Sequence, residues 1–432
     1  MREFVLIIAI LVGLGMTLRW PFVGVLLWEW FTLQNPHRET FGFLSSTNLV
    51  IAVVTLGAWA LSKERKIPPN GFLLWAMLIF LAWTTITTVF AYMPDWSYAY
   101  WDRTWKTFAL GLLLAATVTN RARVHAVLWI AVISLFYYGV KGGLFTLATG
   151  GGNHVMGPEG TMIADNNQLA VAMLMSLPLA NYLRSQTLDR RLRLLLLGGM
   201  ILTTISVIGT YSRGALIGLA ALGFLGLLRM KRRFLYMGAI AVLMAGVIGF
   251  MPAKYMERMH TMNSVESVQS DTSFHGRIVA WKVAFYAARD RFPFGAGFYG
   301  PQRGEFWHTY FPYEKNHAAH SIYFQVLGEH GFIGLALYLA LLAGTFWRCS
   351  TLIRAARKLP DRKWIADFGV GIQASMIVFC VSGAALSLAY YDLFVINVCL
   401  LLPTWEMVKG KKARPAFGPV QVMAPTETST VS

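Results

Sequence analysis

Apolar runs of about 17–25 residues recur along nearly the whole chain, long enough to cross ~30 Å of hydrocarbon as helices. Short polar segments separate them, alternately rich and poor in lysine and arginine. Runs such as Gly214–Leu228 and Phe234–Met251 are continuous and lack the alternation of a barrel strand. Backbone groups in lipid must be satisfied internally, so these runs are predicted helices. Basic clusters at Ser62–Asn70, Asn120–Val124, Arg184–Arg193, Arg229–Arg233, Arg348–Lys363 and from Lys409 onward mark the cytoplasmic loops. The segments between them face outward: Asn35–Phe43, Ala91–Tyr100, Ala148–Thr161, Tyr211–Gly214 and the long Pro252–Ala319. Spans then fall near 44–61, 71–90, 101–119, 124–147, 162–183, 192–210, 214–228, 234–251, 319–347, 365–387 and 390–406. The first 33 residues form one broken span or two short ones around Arg19-Trp20-Pro21. The expectation is an all-α integral membrane protein of about twelve spans, with both termini cytoplasmic.

This pattern divides the chain into N-terminal transmembrane helices (1–251), a long periplasmic loop (252–319), C-terminal transmembrane helices (320–408) and a cytoplasmic tail (409–432). The tail is rich in Pro, Thr and Ser and is predicted to be disordered. The long loop is not disordered in composition. Within it Phe274, Ile278, Trp281 and Phe285 recur at helical spacing, giving one face of an amphipathic helix. Such a helix suits the membrane interface or a cap on the bundle. Pro293-Phe294-Gly295-Ala296-Gly297-Phe298 then reads as a tight turn.

Composition agrees with burial in lipid. Of the 432 residues 56% are hydrophobic and only 14% charged, against about 25% charged in soluble domains. The net charge of +17 would suggest nucleic acid in a soluble protein, but here it sits mostly in short loops between spans. Cys349, Cys380 and Cys399 fall at a helix end or inside apolar runs, so neither an outer disulfide nor a metal site is expected. No small-x-small cleavage site follows the first apolar run, which is read as an uncleaved span.

Some residues break the pattern. Arg213 sits in the very short outer turn Tyr211-Ser212-Arg213-Gly214. Arg277, Lys282, Arg289, Arg291 and Arg303 lie in the long outer loop, Arg103 and Lys106 at the outer start of a span, and Lys141 near an outer end. Cations at the outer rim suit an anionic ligand such as a lipid phosphate or diphosphate, which arginine grips bidentately. The plainer alternative is that they snorkel or pair with Glu257, Asp271 or Glu305. Histidines cluster in the same region: His260, His275, His308, His317 and His320. His320 opens the next span, where a neutral imidazole can accept a proton from a hydroxyl; an ordinary interfacial histidine is the alternative. Asp165, Glu329 and Asp392 are carboxylates inside apolar runs, either functional or structurally paired. Gly295-Ala-Gly297-Phe-Tyr-Gly300 matches G-x-G-x-x-G, but no strand precedes it and no βαβ unit surrounds it. There is no Walker-type lysine, no HExxH and no D-x-D pair to hold a metal on a nucleotide sugar.

In order, the chain carries Ser212-Arg213-Gly214, Gly276-Arg277 with Trp281, Pro293/Gly295/Gly297, then His320-Ser321/Tyr323 with Glu329/Gly331. This series resembles the bacterial O-antigen ligase and polymerase superfamily. Asn35-Pro36-His37-Arg38 and Asp165-Asn166-Asn167 look like the O-glycosylation ligases associated with exosortase systems. The resemblance implies a GT-C-like membrane glycosyltransferase without cofactor or metal. It would move a glycan from undecaprenyl diphosphate to an acceptor hydroxyl on the periplasmic face of the bacterial inner membrane, with inversion. The acceptor is lipid A-core, a protein or a polysaccharide. Arg213, Arg277 and His320 match the family's essential residues: the arginines are assigned to the donor diphosphate and the histidine to the acceptor hydroxyl. Arg103, Lys106 and Arg289 are expected to assist with the diphosphate, and Asp165, Asn166, Tyr323, Glu329, Asp392 and Trp281 to support the site. Two rivals are a polymerase of lipid-linked repeats, which needs two lipid-diphosphate sites, and a lipid or polysaccharide transporter. No internal repeat of the kind common in transporters is visible, and the flagged residues gather at one face. A scaffold partner of an exosortase is a third.

Overall fold

The computed structural model describes residues 2–38, 47–63, 66–228 and 275–410. Its described residues contain helices and no strand. The helices are α1 (Arg2–Arg19), α2 (Pro21–Gln34), α3 (Thr47–Leu61), α4 (Phe72–Val89), α5 (Pro94–Thr117), α6 (Arg121–Ala148), α7 (Asn166–Gln186), α8 (Arg190–Gly209), α9 (Arg213–Leu228), α10 (275–290), the short α11 (Gly304–Trp307), α12 (Ile322–Arg357), α13 (Lys363–Gly383) and α14 (Asp392–Lys409). Five described helices are long and apolar enough to cross a membrane: Phe72–Val89, Arg121–Ala148, Arg190–Gly209, Ile322–Arg357 and Pro360–Gly383. Phe4–Arg19, Thr47–Leu61 and Arg213–Leu227 are shorter apolar helices. The architecture is that of an all-helical, multi-pass membrane protein. The predicted span 234–251, the basic loop Arg229–Arg233, residues 252–274 of the long loop (with Glu257, His260, Asp271 and Phe274) and the tail beyond 410 lie outside the described residues.

Burial explains which helices read clearly in sequence. α8 exposes Leu194, Leu195, Ile201 and Ile208, the apolar stripe expected of a helix against lipid. α7 and α14 sit at the centre and are buried on nearly every side. α7 packs against α6, α8, α9 and α13; α14 packs against α5, α12 and α13. Close approach needs small residues. On α6, Gly139 meets Thr203, Gly142 meets Ser206 and Gly143 meets the backbone of Leu202.

The first 33 residues resolve as two helices. Pro21 opens α2 and Trp20 between them is extended, since a residue before proline avoids the helical region. Several predicted boundaries move. α5 begins at Pro94 and not near 101, because Pro94 fits the first helical turn. α12 runs to Arg357, so Arg348 to Arg357 are helical and not loop. His320 does not open that helix: it has φ +44, Ser321 is extended, and the helix starts at Ile322. α12 is also broken at Gly331 (φ 69, ψ −173), just after Glu329.

The loops sort to two ends. At one end Arg121 bonds Gln186 and stacks over Trp364, Gln186 bonds Asp367, and Arg362 bonds the carbonyls of Met407, Val408 and Gly410. This is the end of the basic clusters. At the other end the predicted outer segments join. Arg291 donates to the Phe90 carbonyl, Tyr92 N–H to Ala296, Val155 N–H to Gly209, and Asn166 to the Thr210 carbonyl. Among the described residues, the loops alternate between the two ends as the charges predict.

Candidate functional site

α10 is the helix of the predicted long outer segment that packs on the bundle. Its packed face is Val279, Ala280, Val283, Ala284, Ala287 and Ala288, not the predicted aromatic face. Small residues let α10 lie close: a Cβ at Gly328 of α12 would come within 3.0 Å of Ala284. Of the predicted aromatic face, Phe285 points elsewhere, edge-on to the exposed Phe332, and Phe274 lies outside the described residues. The turn predicted after it forms, and it threads the break in α12. Ala296 N–H donates to the Gly328 carbonyl (3.0 Å) and Gly297 N–H to the Glu329 carbonyl (2.9 Å). Gly295 has φ +73, and a Cβ there would lie 2.6 Å from Gly331 N. Each glycine is thus required by backbone shape or contact.

Three contacts seat α10 against the segment before α12 and the first turn of α12. Gly276 lies against the His317 ring, where a Cβ would come within 3.0 Å. Trp281 Nε1–H donates to the Ala319 carbonyl at 2.8 Å, and its ring stacks on Phe324 with centroids 4.8 Å apart. Between these anchors Arg277 is held in electrostatic range of His320, and Asp165 faces the same histidine from the start of α7. Burial, then the Arg277 charge, hold the His320 imidazole below its ordinary value, while Asp165 pulls the other way. His320 is therefore biased toward the neutral form that can accept a proton.

Arg213 begins α9, exposed, after Tyr211 at φ +57. Ser212 Oγ accepts from Ala215 N–H at 3.2 Å, capping the helix. Gly214 packs on the end of α13, with Ala385 at 3.3 Å from a built Cβ, and Gly383 there meets Ile322. The turn of Arg213 and the start of α12 therefore share one support. Asn166 Nδ2 donates to the Thr210 carbonyl (2.7 Å) and Asp165 accepts from Asn167 N–H (2.8 Å), fixing the start of α7 beside that turn.

Four non-glycine residues among those described have positive φ: Asn35, Tyr211, Tyr299 and His320. Each lies within or next to one of the short motifs, at the same end of the bundle. Residues held in sparsely populated backbone conformations concentrate at functional sites.

Other expected residues are placed apart. Arg289 is paired with Asp290 (2.5 Å) and lies over Tyr286 (4.9 Å). It is twelve residues, or about 18 Å, along α10 from Arg277, so it is not brought to the histidine. Tyr323 donates to the Cys380 carbonyl (3.1 Å), tying α12 to α13. The Glu329 carboxylate, 3% exposed, accepts from Tyr299 N–H (3.0 Å) and Tyr390 OH (2.6 Å), so it braces the turn against α12 and the segment before α14. Asp392 accepts from Thr107 (2.5 Å) and faces Arg103. Arg103 and Lys106 line a different cavity, together with Arg38.

Residues 198–339 match the O-antigen ligase family, a stretch that holds Arg213, Arg277 and His320. Over that stretch, about a third of its length, the chain is similar to the O-antigen ligase family. Residues 1–188 match a family of unknown function (DUF5935), and no curated protein matches the chain. Asp165 and Asn166 lie outside that stretch, in residues 1–188, although Asp165 faces His320.

Sequence reasoning missed Tyr390 and Ser97. Ser97 Oγ accepts from Phe298 N–H at 2.9 Å, holding the turn to α5. It also missed the buried pair of His330 Nδ1 and Thr87 Oγ1 (2.6 Å). None of these carries a local pattern. Arg38 did, as a cation in an outer segment.

Proposed function

We propose that this protein is an O-antigen-ligase-like glycosyltransferase that moves a glycan from a polyprenyl diphosphate to an acceptor hydroxyl. The observation that carries the reading is the seating of α10 on residues 317–324, which brings Arg277 beside His320 within the stretch similar to the O-antigen ligase family. Arg213 and Arg277 take the donor diphosphate. His320 orients the acceptor hydroxyl and accepts its proton. The hydroxyl oxygen attacks the anomeric carbon, the bond from that carbon to the phosphate oxygen breaks, and the lipid diphosphate departs with the electron pair. The arginines neutralise charge that grows on the leaving group, which is transition-state stabilisation. The donor already holds the energy, so no nucleotide is consumed. The site end faces the periplasm in this reading, because the basic clusters gather at the opposite end.

The test is a transfer assay with purified protein in detergent, supplied with an undecaprenyl-diphosphate glycan and lipid A-core, protein or polysaccharide acceptors, with EDTA present. Transfer by the wild type that is lost in His320→Ala supports the reading, and the productive acceptor names the subclass. Transfer that survives in His320→Ala removes the histidine from the mechanism.

A further inference from the structure

A cavity of about 340 Å³ lies between α2, the turn after it, α3, α5 and α14, at the site end of the bundle. That volume is within the range of small-ligand sites, about 300–1,000 Å³. Arg38, Arg103 and Lys106 converge on it from two distant parts of the chain, with polar Asn35, Asn48 and Thr32. Lys106 is held by Asp102 at 2.6 Å, and Arg103 faces Asp392. Arg38 has no carboxylate within ion-pair distance among the described residues; it donates only to the Gly160 carbonyl at 3.5 Å. Arg38 and Arg103 are also close enough to repel each other. Asp102 and Asp392 also line the cavity and answer Lys106 and Arg103, which leaves the Arg38 guanidinium facing the cavity without a carboxylate of its own among the described residues; the oxygens of a phosphate could bridge it to Arg103.

The cavity adjoins the candidate site without being part of it. The segment that gives Gly160 to Arg38 gives Asp165 to His320, and five residues reach about 18 Å at most. Its apolar wall includes Trp28 and Leu49, and Leu49 belongs to the stripe of α3 that also exposes Val50 and Val53. That stripe is where a lipid chain would enter. We infer that this cavity holds the phosphate group of the acceptor lipid by Arg38 and Arg103, while Arg213 and Arg277 hold that of the donor. This rests on the proposed transfer reaction. It makes the acceptor a phosphate-bearing glycolipid and gives the N-terminal half the task of binding it.

The experiment counts sites directly by calorimetric titration of the full-length protein in detergent. Farnesyl diphosphate is the lipid probe, inorganic pyrophosphate the free-anion probe and farnesol the neutral control. The expected result is two farnesyl diphosphates per chain. Arg38→Gln should weaken one site at least tenfold and leave the other, and Arg277→Gln should do the converse. Arg38 is exposed, so its variant decides the matter should Arg103→Gln fail to fold. One site per chain, indifferent to Arg38→Gln, would overturn the proposal. So would farnesol binding as tightly as the diphosphate, or pyrophosphate binding as tightly as farnesyl diphosphate at the Arg38-dependent site. Binding needs no turnover: two sites with no transfer to any acceptor would count against the transfer reaction alone, and transfer with one site against the second subsite alone.

Discussion

The indole N–H of Trp281 is bonded to the carbonyl oxygen of Ala319, the residue that immediately precedes His320. A tryptophan on one helix thereby fixes the backbone leading into a strained histidine at the foot of another. The spacing in Gly276-Arg277-x-x-x-Trp281 follows from this. The glycine lets the helix approach His317, the tryptophan anchors it one turn later, and the arginine between them is delivered to His320.

Trp281→Phe keeps the stack on Phe324 but loses the bond. A typical hydrogen bond contributes about 1 kcal/mol, close to a fivefold effect. If Trp281 acts only through His320 by this anchor, kcat should fall about fivefold with little change in KM. A KM rise with unchanged kcat would show that the anchor serves binding and not the histidine.

Arg213→Ala and Arg277→Ala should each remove at least about 2 kcal/mol of transition-state stabilisation, the scale of one strong electrostatic donor. Arg277→Lys should recover little of it, because an ammonium lacks the planar fork. Single-turnover transfer rates measure this, and near-normal rates in both alanine variants would sink the diphosphate assignment.

The helices and their alternation were legible because lipid imposes long apolar runs and the loops carry the charge bias. The order of the short motifs was legible too. What was hidden is what depends on three-dimensional pairing. The face of α10 that packs is its alanine face, which a search for large apolar residues passes over. Glu329 reads in sequence as a carboxylate inside an apolar run, whereas beside the break at Gly331 it braces the 293–300 turn. Arg103 and Arg289 looked like companions of Arg277 because all are outer cations; one belongs to another cavity and the other to Asp290.

The break in α12 makes a stability prediction. Gly331 has φ 69 and ψ −173, a region essentially reserved for glycine, and a Cβ there would lie 2.4 Å from the Pro293 carbonyl oxygen. Conformational strain alone costs about 1–3 kcal/mol. Gly331→Ala should lower the apparent melting temperature in detergent, whereas Gly57→Ala, which meets nothing within 4 Å, should not. Equal melting of the two variants would mean that the turn does not depend on the break.

His320 also predicts the pH profile. Burial and Arg277 hold it below its ordinary value of 6.5, so the folded protein releases its proton more readily than the unfolded chain. The unfolded chain therefore binds the proton first as pH falls, and this contribution to stability is full above about 6.5 and lost on acidification through the lower folded value. A histidine that accepts the hydroxyl proton must be neutral, so the transfer rate should rise with pH on an acid limb centred below 6.5 and level off toward neutrality. Asp165 favours the protonated ring, so Asp165→Asn should move the limb to still lower pH; the asparagine oxygen can still cap α7. The measurement is the pH dependence of kcat/KM for both proteins, with folding checked at each pH. A limb at or above 6.5 in the wild type, or an upward move in Asp165→Asn, would remove His320 as the proton acceptor and leave it an orienting group.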